Sequence, residues 1–235
     1  MTDGPVPPGS NLLVEFDATS QWNNAHTTIA ADWLKAKGGV SYHIASQPKE
    51  RVHTQLKRLG LQNVEELEEP HERRALALYD WYTASLGRKV PDDDFSFYSL
   101  KIADLSIIWG KGEKDAEATG FFDQIGQPIL RIVDNVSCLG RFNEEKAWVE
   151  FLLNRVIPRA QRWNQITIIG LTRSLHSDWV YKTLEGAADG VIDFKLDDTG
   201  EETKDMMRIR SMRNVGFDRK WHTLKVDKDF RVSLE

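Results

Sequence analysis

The chain has 235 residues, a net charge of −5, 40% hydrophobic residues and a single cysteine. That length can bury a sizeable core in one unit, and the acidic balance excludes a globally basic nucleic-acid binder. One cysteine excludes an internal disulfide framework and fits a reducing cytoplasm. No apolar run approaches the roughly 18 residues of a membrane span, and no basic-then-apolar leader opens the chain. The expectation is a soluble, cytoplasmic protein without membrane contact.

Met1 to Ser10 is a Gly/Pro-rich lead-in. Asn11 to Phe16 (N-L-L-V-E-F) reads as a strand, and Asp17 to Asn24 as a polar, turn-rich loop. From Ala25, apolar residues at Ile29, Ala30, Trp33 and Leu34 follow a helical period that stops at Gly38-Gly39. Val40 to Ala45 is a second strand. Pro48 opens a helix with Val52, Leu56 and Leu59 on one face, ending at Gly60, and Leu76 to Tyr82 is a third strand. Between Arg88 and Gly126 the pattern predicts a loop-rich insertion. The Asp92-Asp93-Asp94 tract and Gly110 to Gly120 read as exposed loops around a short helix near Ser99 to Ile108. Ile129 to Asp134 is a strand, Asn143 to Arg162 a long amphipathic helix and Gln165 to Thr172 a strand. Ser177 to Ala188 is a helix with Trp179, Val180 and Leu184 inward. Strand runs at Gly190 to Leu196, Met206 to Met212 and Trp221 to Val226 follow, and Phe230 to Leu234 closes the chain. Strands alternating with helices imply a parallel sheet covered on both faces, and the terminal hairpins imply an antiparallel extension.

Asp134 ends an apolar strand, which is how open α/β sheets present a metal or phosphate ligand; the alternative is that Asp134-Asn135 only turns the chain. Cys138, in the loop beyond, reads as a small buried residue rather than a nucleophile. The lead-in G-P-V-P-P-G-S-N-L-L-V, the stretch S-Y-H-I-A-S-Q-P-K-E with L-K-R-L-G-L, and D-G-V-I-D-F-K-L followed by I-R-S-M-R-N stand in a specific order. In that order and spacing the chain resembles the KaiC-like branch of the RecA-like P-loop ATPases. The resemblance covers most of residues 1–235, read as one domain. It implies an α/β, RecA-like fold: a mostly parallel central sheet flanked by helices, with antiparallel C-terminal strands.

The departures from that family carry as much information. A phosphate-binding loop needs G-x-x-x-x-G-K-[ST], whose glycine backbones wrap the phosphates while Lys neutralises them and the hydroxyl holds Mg²⁺. Here the stretch is D-A-T-S-Q-W-N-N-A-H-T-T, with no glycine and a few residues too many. Aligning T-T-I-A-A with the family's helix start puts His26 in the place of the Lys and Thr27 in that of the Mg²⁺ hydroxyl. Where the family carries water-activating acids the chain has Gln47, which can orient a water but cannot take its proton. Ser211 replaces the family's trans-acting Lys, while Arg210 and Arg213 remain basic. Asp134 falls in the Walker B position, so Thr27 and Asp134 are the metal ligands if a Mg-nucleotide binds.

The six histidines, His26, His43, His53, His71, His176 and His222, form no metal pair, and no G-x-S-x-G elbow supports a nucleophile set. His176 precedes a helix cap at Ser177 or Asp178. Arg208 to Lys220 is the densest basic region. Arg208 and Arg210 alternate with Ile209, which makes one strand face basic, either solvated or in contact with an anion across a subunit boundary or with a phosphate backbone. Trp22, in a polar loop, reads as a partner anchor, a base-stacking surface, or a plug in the space of a nucleotide.

These residues predict a non-hydrolysing KaiC-like paralogue with a regulatory or scaffolding role and no cofactor. It is expected to self-associate or to join an active relative through the edge carrying Arg210 and Arg213. Two alternatives stay open. One is a weak ATPase holding Mg-ATP with His26, Thr27, Asp134, Arg210 and Arg213; the other is a recombinase paralogue binding single-stranded DNA.

Overall fold

The structure is a computed structural model and describes residues 1–68, 75–88, 99–119 and 129–235. Aliphatic runs flanked by polar turns form the strands: β1 (Asn11–Phe16), β2 (Val40–Ile44), β3 (Leu76–Asp80), β4 (Leu130–Val133), β5 (Ile166–Thr172) and β6 (Gly190–Asp197). β1, β2, β4 and β5 are buried at every residue, which is why they read as continuous apolar runs rather than alternating ones. Three further strands, β7 (Lys204–Met212), β8 (His222–Val226) and β9 (Val232–Leu234), complete a nine-stranded sheet in the order β3-β2-β4-β5-β1-β6-β7-β8-β9. Pairings from β3 to β6 are parallel; those from β6 to β9 are antiparallel. The expected α/β architecture, a mostly parallel core with antiparallel C-terminal strands, is the one observed.

Two apolar layers sandwich the sheet. On one face α1 (Trp22–Lys35), α2 (Lys49–Arg58) and α3 (Val64–Glu68) pack over Val14, Tyr42, Ile132 and Ile168. On the other, α4 (Trp81–Ser85), α5 (Ile102–Thr119), α6 (Glu145–Phe151), α7 (Ile157–Arg162) and α8 (Asp178–Ala187) cover Leu13, Val133, Ile169 and Val191. Among the described residues no helix is long and apolar enough to cross a membrane.

Five sequence expectations are corrected. α1 starts at Trp22 rather than Ala25, so the polar loop after β1 is only Asp17 to Gln21. β3 ends at Asp80, whose carboxylate accepts from Thr83 N at 2.8 Å and Thr83 Oγ1 at 2.6 Å and so caps α4. The segment from Gly110, read as loop, continues α5 as far as Thr119; Asp92 to Asp94 lie outside the described residues. The helix expected over Asn143 to Arg162 is interrupted by a π turn at Leu152–Val156. Pro158 supplies the reason, since it has no N–H to donate to a carbonyl one turn back and the extra residue absorbs the gap. Trp179 is exposed, because the face set by Val180 and Leu184, four residues apart, leaves it about 100° off the packed stripe.

Candidate functional site

The strand order places the carboxyl ends of β4, β5 and β1 side by side, with β5 between the two strands that carry the candidate ligands. β1 connects through α1 towards β2 on one side, while β5 leads through α8 to β6 on the other. Open α/β sheets bind ligands at such a reversal.

Asp134 follows β4 and is fully buried. Its Oδ1 accepts from Ala45 N at 2.7 Å, and its Oδ2 accepts from Ser46 N at 3.1 Å and Ser46 Oγ at 2.5 Å. Burial pushes the carboxyl up to about 6, against these hydrogen bonds and one from the Asn135 backbone. The side chain therefore ties the end of β4 to the end of β2. Ser46 is the partner that sequence reasoning missed. Its only signal was a small hydroxyl directly beyond the end of β2.

Trp22 is buried, not exposed in a loop. Its indole Nε1 donates to the Asp134 backbone oxygen at 2.7 Å, and its ring lies against Phe16, His26 and Phe194 at centroid distances of 6.0, 5.1 and 5.4 Å. A Cβ at Gly170 of β5 would sit 2.0 Å from the Asp134 oxygen and 2.6 Å from Trp22 Nε1. The glycine is what lets the indole lie across β5 and reach β4. The loop beneath holds no residue in the left-handed region between Asp17 and Gln21, and so lacks the alternating conformation from which a phosphate nest is built. A tight turn, Ser20 N to Asp17 O at 2.9 Å, leads straight into the helix.

Because α1 begins at Trp22, His26 and Thr27 stand in its second turn rather than at its start, and both are buried. The His26 Nδ1 is hydrogen-bonded to the Tyr42 hydroxyl, and burial lowers the imidazole pKa to about 3. It carries no charge at neutral pH. Thr27 Oγ1 donates to Asn23 O at 3.1 Å, with Tyr42 Oη at 3.3 Å and Gln55 Oε1 at 3.4 Å. Gln47 is buried and donates from Nε2 to Gln55 Oε1 at 2.9 Å. The structure thus gathers His26, Thr27 and Gln47 with Tyr42 and Gln55 into one polar knot. Among the described residues no hydrogen bond joins that knot to Asp134, and no group of three His, Cys, Asp or Glu is placed to hold a metal.

Arg210 belongs to a second cluster, on the opposite face of the sheet. Neighbouring strands bring Glu15 beside Asp193 and Asp193 beside Arg208. Arg210 contacts Glu15 Oε1 at 2.6 Å, Glu185 Oε1 at 2.9 Å and Asp193 Oδ1 at 3.6 Å. Arg208 Nε donates to Asp193 Oδ2 at 2.7 Å, and Arg173 pairs with Asp193. Desolvation, followed by a hydrogen bond from Glu185, pushes Glu15 up to about 7 although Arg210 opposes it. The basic strand face expected from the sequence is spent on internal carboxylates. Arg213 remains more open: it donates to Gly186 O at 2.9 Å and lies 3.9 Å from Asp189. Glu15 inside N-L-L-V-E-F and Asp193 inside G-V-I-D-F were the available signals, since a carboxylate in an apolar strand needs a cationic partner.

Cys138 sits half-buried in a 3₁₀ turn, Val136–Arg141, and burial raises its thiol pKa. A raised thiol pKa disfavours the thiolate, which is the nucleophilic form. His176 packs on Trp148 at 5.1 Å and lies 3.4 Å from Glu145, which also accepts from Ser177 Oγ at 2.5 Å.

Searched as a sequence, the chain matches no family model and no curated protein. Compared as a structure, it is similar to the KaiC-like protein PH0186 from Pyrococcus horikoshii OT3, with a TM-score of 0.67 and 15% identity over 100% of this chain and 93% of that one. The fold is RecA-like, of the KaiC kind. The uncharacterized protein PH0321 from Pyrococcus horikoshii, solved in complex with an unknown peptide, gives a TM-score of 0.72 at 15% identity, covering 99% and 94% of the two chains. The flagellar accessory protein FlaH from Methanocaldococcus jannaschii gives 0.66 at 16%, covering 99% and 92%. At such identities this KaiC-like likeness is one of fold.

Proposed function

We propose that this chain is a RecA-fold protein that neither holds a triphosphate between β1 and β4 nor hydrolyses one, and that it acts through protein contacts as a regulatory or scaffolding subunit. One observation carries the reading: the Trp22 indole, hydrogen-bonded to the Asp134 backbone across Gly170, fills the crevice at the carboxyl ends of β1, β5 and β4. Two more support it. His26 is buried and neutral where a phosphate needs a cation, and the oxygens of Asp134 already accept from Ala45 and Ser46. For the contact surface, Leu175 and Trp179 are 62% and 46% exposed at the start of α8, close in sequence to the open Arg213 pairing at Gly186. Tryptophan and arginine are enriched at protein interfaces.

The test is thermal unfolding with and without millimolar Mg-ATP and Mg-ADP, alongside sedimentation of the wild type and Trp179→Ala. No Mg²⁺-dependent shift is expected, and the variant should sediment as a smaller species or lose its partner. Ligand at 100 times its Kd would stabilise by about 2.7 kcal/mol. A Mg²⁺-dependent rise of that order, abolished by Asp134→Asn, would favour an atypical ATPase instead.

A further inference from the structure

On the far side of Gln55 from the closed crevice lies an open pocket of about 550 Å³ between the start of α1, the outer face of α2 and the turn joining β8 to β9. We propose that this pocket binds a small phosphomonoester carrying a planar ring, independently of Mg²⁺ and of the crevice at Asp134. The volume is that of an ordinary small-molecule site.

Its chemistry is one-sided. Arg51 and Arg58 lie seven residues apart on α2, hence on the same face and about 10 Å apart along the axis. Neither is ion-paired to a carboxylate among the described residues, whereas Arg173, Arg208, Arg210, Arg213 and Arg231 are. The two differ in role. Arg58 lies over the Phe230 ring, its guanidinium carbon 5.4 Å from the centroid, which makes a flat cation-and-ring platform. Arg51 stands without such a neighbour and is the group free to fork onto an oxyanion. Gln55 accepts on Oε1 from Gln47, which leaves its amide N–H₂ as a further donor at the wall. Glu50 is the one carboxylate in the lining and leaves the pocket with net positive charge.

Phe230 is also displayed at a cost. It is 43% exposed with φ at 63°, a region aromatic residues rarely occupy. Asp227 enforces that conformation, accepting on Oδ1 from Asp229 N and Arg231 N at 2.9 Å each, while its backbone oxygen accepts from Phe230 N at 3.0 Å. Backbone strain that holds an aromatic ring out beside two arginines is a sign of a binding role. A ring would stack at the Phe230–Arg58 end and a phosphate would meet Arg51.

Isothermal titration in EDTA, with AMP and with inorganic phosphate, decides the matter and separates a ring-borne phosphate from the free ion. AMP is expected to bind at least tenfold more tightly than phosphate. Arg51→Ala should weaken both at least tenfold, and Phe230→Ala should remove the advantage of AMP while leaving phosphate unchanged. Arg219→Ala, the same charge loss on an exposed residue elsewhere, should change neither, and circular dichroism checks that each variant is folded. Absence of binding at 10 times millimolar ligand, or binding that Arg51→Ala and Phe230→Ala leave intact, overturns the proposal. Because no Mg²⁺ is present, either result is distinct from reopening of the Asp134 crevice.

Discussion

At Gly170 a single missing Cβ decides what the crevice can contain. The clash a Cβ would make is first with backbone, the Asp134 oxygen at 2.0 Å, so no side-chain rotation can relieve it. Gly170→Ala should cost at least the roughly 1–3 kcal/mol of ordinary overpacking. Urea denaturation measures it, and a variant as stable as the wild type would refute the clamp between Trp22 and Asp134. His26 offers a second residue-scale test. Its folded pKa near 3 lies below the unfolded value of 6.5, so the unfolded chain takes up a proton that the folded one refuses. Stability from this source is present above pH 6.5 and is lost as pH falls, on the order of 3 kcal/mol by pH 4. Asp134, raised to about 6, works in the opposite sense over the same range, so the wild-type profile alone is ambiguous. Comparison with His26→Leu isolates the histidine: the wild type should lose more stability between pH 7 and 4 than the variant does. Parallel curves would mean that His26 is not buried neutral.

Among the elements, the antiparallel extension is fastened to the parallel core by charge as well as by its ladder. β7 pairs with β6 over most of its length, and Arg208 and Arg210 reach from it to Asp193, Glu15 and Glu185. Removing one partner of a fully buried pair costs about 3–5 kcal/mol; Arg210 is 34% exposed, and solvent screening reduces that to about 1–3 kcal/mol. The loss in Arg210→Ala should depend on pH. Glu15 ionises near pH 7, so its attraction to Arg210 acts chiefly above that value. The variant should be more destabilised at pH 8.5 than at pH 6, by urea denaturation at both. Equal losses would show that Glu15 does not depend on Arg210.

Across the whole molecule, burial and pairing are graded from centre to edge. β1 and β5 are buried at every residue and paired on both sides, whereas β9 has three residues, two of them exposed, and one neighbour. Amide hydrogen exchange should therefore report near-global opening energies in β1 and β5 and much faster exchange in β9. Protection of β9 equal to that of β5 would mean that something covers this edge in solution.

What the sequence alone determined is the layer architecture. Apolar runs such as I-T-I-I-G-L-T and helical faces such as Val52, Leu56 and Leu59 carry their period locally, and burial follows the period. The stretch D-A-T-S-Q-W-N-N after β1 also contains no glycine. The roles of the site residues were not legible in the same way, because each depends on a partner far along the chain. Trp22 looks exposed in a polar stretch until Asp134, 112 residues away, is brought to its indole nitrogen. Arg210 looks free until β1 and β6 place Glu15 and Asp193 beneath it. Ser46 looks incidental until it donates to Asp134 across the ends of β2 and β4. Periodicity is written between near neighbours, but hydrogen bonds and ion pairs join residues that only strand order makes adjacent. The fold could therefore be read from the chain, and the contents of its crevice could not.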